Sequence, residues 1–209
     1  MPADLFPPSD FDDWAPEYDD SVQSTDFPFT GYDRVLRTIL DQADPRPGAQ
    51  VLDLGTGTGN LAALFAGRGC RIWGLDFSAA MLRIAARKLP AAALALADAR
   101  DPLPPAFQRR YDHIVSGYTF HHFPLEQKAA IARRLLDEQA HPGAALLIGD
   151  IAFLNPGAQD ALRAALGDAW EEEFYWLADE TAAAFAAADM AAKFTPLSDC
   201  AGVFAIRRL

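Results

Sequence analysis

Val51-Leu52-Asp53-Leu54-Gly55-Thr56-Gly57-Thr58-Gly59-Asn60 is the stretch that decides how the rest of this chain is read. A short β-rich run ends in an acidic residue. Three glycines follow at alternating positions, and then an apolar run from Leu61 to Phe65. The pattern predicts a strand ending at a turn where a ligand comes close to the backbone. Glycine permits this because it has no Cβ and tolerates positive φ. The same turn opens a helix whose first N–H groups are free to meet an anionic group. The competing reading is a tight strand-to-helix connection with no ligand.

Two acidic residues downstream favour the ligand. Arg71-Ile72-Trp73-Gly74-Leu75 reads as a second strand ending at Asp76. A carboxylate there can accept hydrogen bonds from both hydroxyls of a ribose. Leu94-Ala95-Leu96-Ala97 reads as a third strand, followed by Asp98 and Ala99. Taken singly, Asp76 could belong to a helix N-cap before Ser78, and Asp98 to a solvated turn. A dinucleotide fingerprint, G-x-G-x-x-G, fits poorly. Its third glycine would fall where Asn60 stands, which weakens an NAD(P)-dependent oxidoreductase reading.

The 209 residues are expected to form one main domain over residues 31–209, preceded by an acidic arm over residues 1–30. A hydrophobic fraction of 51% with 22% charged residues is that of a globular protein. No apolar run has the length of a membrane span, and no basic-apolar signal sequence opens the chain. Cys70 and Cys200 have no metal-type spacing and read as reduced thiols of a cytoplasmic protein. Residues 1–31 carry eight acidic and no basic residues, and the remainder has 21 acidic and 18 basic. Such a balance argues against nucleic acid as partner, because phosphate binding rewards stripes of Lys and Arg.

Along the chain, residues 1–10 are Pro-rich and expected to be loose, and Phe11 to Asp20 forms a short aromatic segment. A helix over 31–43 precedes strand 50–54, helix 59–67, strand 70–75, helix 78–88 and strand 93–97. Strand 111–117, helix 125–138 and strand 144–151 continue the alternation. Helices 156–167 and 178–189 then lead to strands 192–197 and 202–208. This order predicts an α/β, Rossmann-like fold with a seven-stranded, mostly parallel sheet and helices on both faces. The last two strands are too close in sequence for a crossover, so an antiparallel final strand is expected.

The pattern Asp53-x-Gly55-x-Gly57-x-Gly59, with Asp76 and Asp98, resembles the motifs of the class I S-adenosylmethionine-dependent methyltransferases. Phe11-Asp12-Asp13-Trp14-Ala15-Pro16-Glu17-Tyr18-Asp19, Tyr118-Thr119-Phe120-His121-His122-Phe123 and Glu126-Gln127-Lys128 resemble stretches of the bacterial YrrT-type methyltransferases. The likeness covers most of residues 11–209. It departs in the acidic N-terminal extension and in Asp189-Met190, where a glycine often precedes the sixth strand. The resemblance implies an S-adenosylmethionine site formed by Tyr18, Asp53, Gly55, Gly57, Gly59, Asp76, Phe77, Asp98, Ala99 and Ser116. It also implies that Asp98 meets the adenine amine, and that the N-terminal segment caps the cofactor as a lid.

Methyl transfer from such a cofactor mainly requires alignment, with a base only where the nucleophile keeps its proton. His121 and His122, just past the fourth strand, are the candidates for that base. The alternative for each is packing or a hydrogen bond to loop backbone. Trp14, Tyr18, Tyr118 and Tyr175 are candidates for an aromatic wall, with Tyr118 and Tyr175 on the acceptor side. Ser116-Gly117-Tyr118-Thr119 lacks the Asn/Asp-Pro-Pro-aromatic signature of base-modifying enzymes, which favours a small-molecule acceptor. The four histidines are not in zinc-like spacing with cysteines or carboxylates, so no metal is expected. A cofactor-binding sensor without catalysis stays open as the rival, as do monomer and homodimer.

Overall fold

The computed structural model describes residues 6–209. The part of the expected loose stretch before Phe6 lies outside the described residues. From Pro8 onward the chain is already helical: α1 (Pro8–Trp14) begins with proline in its first turn, a position that forgoes no hydrogen bond. Next come α2 (Tyr18–Ser21) and α3 (Tyr32–Ala43). The alternating part then runs β1 (Gln50–Leu54), α4 (Asn60–Gly67), β2 (Arg71–Asp76), α5 (Ala79–Lys88), β3 (Ala93–Leu96), β4 (His113–Gly117), α6 (Leu125–Glu138) and β5 (Leu146–Phe153). It closes with α7 (Pro156–Leu166), β6 (Trp176–Leu177), α8 (Ala178–Ala187), β7 (Met190–Pro196) and β8 (Ala201–Arg208).

The strands form one sheet in the order β3-β2-β1-β4-β5-β8-β7, parallel from β3 to β5. Strand β8 runs antiparallel to both its neighbours. This is the expected seven-strand path with its reversed last strand. An eighth strand was not anticipated. The two residues of β6 pair in parallel with the end of β5, Ala152 with Trp176 and Phe153 with Leu177. Two residues offer no periodicity to read, and pairing depends on a β5 that extends to Phe153, two residues past its expected end.

Alternation along the strands sorts side chains to two faces. Val51, Val115 and Leu147 pack with α3 and α4 residues such as Val35, Ile39 and Phe65. Leu52, Leu54, Ile114 and Ile148 pack on the opposite face with Leu135 of α6 and Phe185 of α8. Helix α3 lies close to the sheet because Gly149 of β5 has no side chain. A Cβ there would stand 2.4 Å from Val35 Cγ1. Asp189, the residue that departs from the related sequences, has φ +55, the left-handed conformation a glycine would take freely. Among the described residues, no helix is long and apolar enough to cross a membrane.

Candidate active site

β1 is flanked by β2 on one side and β4 on the other, so the chain's crossovers diverge there and leave a crevice beyond the strand ends. A cavity of about 500 Å³ occupies it. Its walls are the glycine turn, the end of β2, the segment after β4, the N-terminal helices and residues 169–175.

At the glycine turn, Gly57 has φ +53, and a Cβ built on it would meet nothing within 4 Å. Its bare face therefore borders open cavity. Its N–H donates to Asp76 Oδ2 at 2.8 Å, while the Ser78 N–H donates to Asp76 Oδ1 at 2.8 Å. Asp76 is thus held at the mouth of the sheet, where it lines the cavity. Burial raises its pKa to about 6, despite those backbone hydrogen bonds. Gly55 also lines the cavity, but the space beside it is filled: a Cβ there would stand 2.1 Å from Thr119 Oγ1. Phe77, Asp98 and Ala99 border a narrow annexe of about 40 Å³ next to Asp76. The Asp98 carboxylate is gripped by Arg100, with Nη2 at 2.6 Å and Nε at 2.9 Å from Oδ2.

Three residues of the expected cofactor set do not line the cavity. Asp53 is buried and accepts from Thr56 Oγ1 at 2.6 Å, which braces the turn from below. Burial raises its pKa to about 7, and its Oδ1 has no hydrogen-bond partner. Ser116 is also buried, and its hydroxyl donates to the Leu54 carbonyl at 2.7 Å, tying β4 to β1. Gly59 makes room for packing: a Cβ there would lie 2.9 Å from Leu89 Cδ1. The sequence motif therefore mixes residues that face the cavity with residues that hold the turn in shape.

The arm crosses the cavity and is fastened by two of its acidic residues. Asp12 Oδ1 accepts from Ser78 Oγ at 2.6 Å and from Ala80 N at 2.9 Å, adding a second acceptor at the start of α5. Asp19 accepts from Thr58 Oγ1 at 2.6 Å, Asn60 Nδ2 at 3.0 Å and Lys88 Nζ at 3.0 Å. Burial alone would raise the Asp19 pKa; the hydrogen bonds from Thr58, Lys88 and Asn60 outweigh it and hold the carboxyl below its ordinary value. Between these two fastenings, Trp14 and Tyr18 stack edge to face at 4.8 Å and line the cavity.

At the opposite end stand the two histidines. His121 Nδ1 lies 2.5 Å from Asp150 Oδ1, and its backbone N–H donates to Asp150 Oδ2 at 2.9 Å. Asp150 is fully buried on β5 and also accepts from Trp176 Nε1 at 2.9 Å. Burial would lower the His121 pKa, but the charge and hydrogen bond of Asp150, followed by the charge of Glu173, reverse the sign and raise it. His122 Nδ1 donates to the Thr119 carbonyl at 3.0 Å. Burial, reinforced by its neighbour His121, drives the His122 pKa far down, which keeps that ring neutral. Both Nε2 atoms face Glu173, at 3.8 Å from Oε2 for His121 and 3.9 Å from Oε1 for His122. Below them, buried Lys128 is bound to the Phe174 carbonyl and sits 4.3 Å over the Trp176 ring.

Tyr118 and Tyr175 both line the cavity. Tyr175 donates to the Glu171 carbonyl at 2.7 Å. Tyr118 has φ +52, unusual for a residue with a Cβ, and its buried hydroxyl has no partner. An unmatched buried hydroxyl of this kind costs free energy unless a ligand completes it.

Asp150, Glu173, Asp12, Asp19 and Lys128 were not singled out from the sequence. Asp150 did leave a signal, being the one charge in the apolar run Leu146-Leu147-Ile148-Gly149-Asp150-Ile151-Ala152-Phe153. Glu173 left none within Glu171-Glu172-Glu173. The expectation of no metal rested on spacing, yet folding brings His121, His122 and Glu173 together, with ligand atoms all within 4.8 Å of one another.

Comparison with known proteins defines the class. Residues 51–139 match the methyltransferase domain family. An uncharacterized methyltransferase of Geobacillus kaustophilus is 37% identical over 177 residues, covering 81% of this chain and 77% of that protein. The uncharacterized methyltransferase YrrT of Bacillus subtilis is 34% identical over 175 residues, covering 81% and 78%. The chain belongs to this family of YrrT-like methyltransferases. Among solved structures, a DhpI-SAM-HEP complex has a TM-score of 0.72 at 19% identity, covering 95% of this chain and 94% of that one. A TehB-like SAM-dependent methyltransferase from Corynebacterium glutamicum has a TM-score of 0.67 at 14% identity, covering 97% and 100%. These two likenesses are of fold.

Proposed function

We propose that this protein transfers a methyl group from S-adenosylmethionine to a small-molecule acceptor held in the cavity between the glycine turn and the histidine pair. The observation that carries the reading is the two-ended cavity of about 500 Å³. Gly57 and Asp76 stand at one end and His121, His122 and Glu173 at the other.

The residues present fit the cofactor. The bare face of Gly57 leaves a cradle that a side chain would fill, and Asp76 offers lone pairs to a sugar diol. Phe77 and Ala99, with Asp98 at the rim, border the annexe where a base would lie. When bound, S-adenosylmethionine supplies a methyl carbon on a sulfonium, to which the acceptor's lone pair bonds as the C–S electron pair returns to sulfur. Tyr18 and Trp14 lend aromatic faces that favour a cation. The arm from Phe11 to Thr30 acts as the lid, fastened by Asp12 and Asp19 and excluding water from the chamber. His121, backed by Asp150, is the group that receives a proton at Nε2. His122 and Glu173 border the position from which it comes. A chamber of this size with no Lys or Arg among the described residues of its lining supports a small molecule over nucleic acid.

Calorimetry with S-adenosylmethionine and S-adenosylhomocysteine, paired with an assay for S-adenosylhomocysteine release over an acceptor panel, tests the proposal. Binding in the micromolar range with release is expected. Binding without release across the panel supports the sensor instead, and absence of binding removes both.

A further inference from the structure

The acceptor end of the cavity has a chemical bias that narrows the acceptor class. Resting on the methyltransferase reading, we propose that the acceptor is an amine, its nitrogen seated between Glu173 and the Nε2 atoms of His121 and His122, with His121 Nε2 taking its proton.

The tautomers follow from the neighbours. The Thr119 carbonyl can only accept, so His122 Nδ1 donates to it and Nε2 carries the lone pair. Asp150 already accepts from the backbone N–H groups of His121 and Ile151 and from Trp176 Nε1, an environment that selects the carboxylate. His121 Nδ1 therefore donates to Asp150, and its neutral ring likewise presents a lone pair at Nε2. Three acceptors thus converge on one gap. The approaches of 3.8 and 3.9 Å are too long for either ring to hydrogen-bond Glu173 directly.

The spacing bears on what the gap can hold. Ligand atoms about 2.0–2.2 Å from a transition-metal ion stand about 3.0–3.6 Å apart. Acceptors about 2.8 Å from an ammonium nitrogen stand about 4.6 Å apart. The observed approaches of 3.8 and 3.9 Å, with the set within 4.8 Å, fall between these two spacings, so the gap admits an N–H donor placed among the three acceptors. Charge points the same way. Among the described residues, Asp10, Asp76, Glu171 and Glu173 line the cavity, and no Lys or Arg does. The nearby cation, Lys128, is occupied below the floor by the Phe174 carbonyl and the Trp176 ring. An anionic acceptor would be repelled by these carboxylates, and the imidazolium that His121 can form is already paired with Asp150, whereas an ammonium is drawn in.

The proton balance closes within these residues. An N–H proton passes to His121 Nε2, and Asp150 and Glu173 stabilise the imidazolium. The freed nitrogen lone pair forms the C–N bond, and the C–S electron pair leaves with sulfur.

The test uses the full chain saturated with S-adenosylhomocysteine and matched probes on three scaffolds: 2-phenylethyl, n-butyl and cyclohexylmethyl. Each is supplied as amine, alcohol and homologous carboxylate, and binding is read by calorimetry. At least one amine should bind ten times more tightly than its alcohol, with no carboxylate binding. Glu173→Gln should erase that preference while S-adenosylhomocysteine still binds, and His122→Asn serves as the second variant should Glu173→Gln not fold. Carboxylates or alcohols binding as well as amines, no probe binding at all, or Zn²⁺ binding tightly to the three residues, would overturn the inference. Loss of S-adenosylhomocysteine binding by the unaltered protein would instead remove the methyltransferase reading beneath it.

Discussion

Asp150 on β5 and His121 in the turn after β4 are joined twice, through the imidazole Nδ1 at 2.5 Å and the backbone N–H at 2.9 Å. One carboxylate therefore fixes both the position of the ring and its tautomer. The second ring nitrogen is left for the cavity. In the free protein the raised His121 pKa keeps the ring protonated to higher pH than an ordinary histidine near 6.5.

A base must be neutral to accept a proton, so turnover should rise with pH through a value above 6.5. Asp150→Asn removes the charge that raises that value. The inflection should then move to lower pH, and the plateau rate should fall by about 100-fold or more, the scale of a positioned general base. The S-adenosylhomocysteine Kd should stay within about threefold. A pH–rate profile of the variant that overlays the original would remove His121 from the proton path.

Asp76 makes a pH prediction of the same sign, for binding rather than turnover and at lower pH. Sugar hydroxyls need the carboxylate, and the free protein protonates it near pH 6. Cofactor affinity should therefore be flat above about pH 7 and weaken below about pH 6, by up to tenfold per pH unit. Asp76→Asn should raise the S-adenosylhomocysteine Kd by about 10- to 100-fold, equivalent to about 1.5–3 kcal/mol for hydrogen bonds to a charged group. Its affinity should lose the acid-side slope. Calorimetry from pH 5 to 8 checks both.

Two glycines of one motif should separate binding from stability. Gly57→Ala projects into open cavity, so cofactor affinity should fall at least about tenfold while the left-handed backbone costs about 1–2 kcal/mol. Gly59→Ala drives a methyl to 2.9 Å from Leu89 at φ +88, so stability should fall by more, about 2–4 kcal/mol. Urea unfolding and ligand titration on each variant measure the two effects. The reverse pattern would exchange the roles assigned here.

The arm's fastening can be followed by limited proteolysis with a Glu-specific protease at exposed Glu17. S-adenosylhomocysteine should slow cleavage there severalfold. Asp19→Ala loses the contacts to Thr58, Asn60 and Lys88, so its cleavage should be faster with and without ligand. Cleavage indifferent to ligand would count against a lid.

The sheet path was legible because its signals are local. Val51–Leu54 and Leu146–Ile151 announce buried parallel strands, and Pro45, Pro47 and Gly143 mark the breaks between elements. The glycine turn, Asp76 and the histidine pair also sit beside strand ends and could be found by counting. What escaped was everything brought in from far along the chain. Glu173 lies 51 residues beyond His122, in an acidic run with no periodicity. Asp12 and Asp19 gave no sign of being fastenings, because their partners, Ser78 and Thr58, lie far along the chain. The burial of Asp53 and Ser116 away from the cavity lining was not legible either, because a motif records position along the chain, whereas alternation along a strand sorts its side chains between faces.

The two-residue strand β6 has a consequence for how such a protein can diversify. Its pairing with Ala152 and Phe153 anchors the returning chain at the sheet, immediately after Glu171, Glu173 and Tyr175. Between the end of β5 and that anchor lies α7, which buries none of its residues. The intervening stretch is thus pinned at both ends, and apart from Ala158, Leu162 and Trp170, which pack on the core, its side chains form a cassette that can be rewritten with little disturbance of the scaffold. Selectivity among guests can then drift by exchange of that cassette alone, leaving the adenosyl-facing half of the chamber untouched.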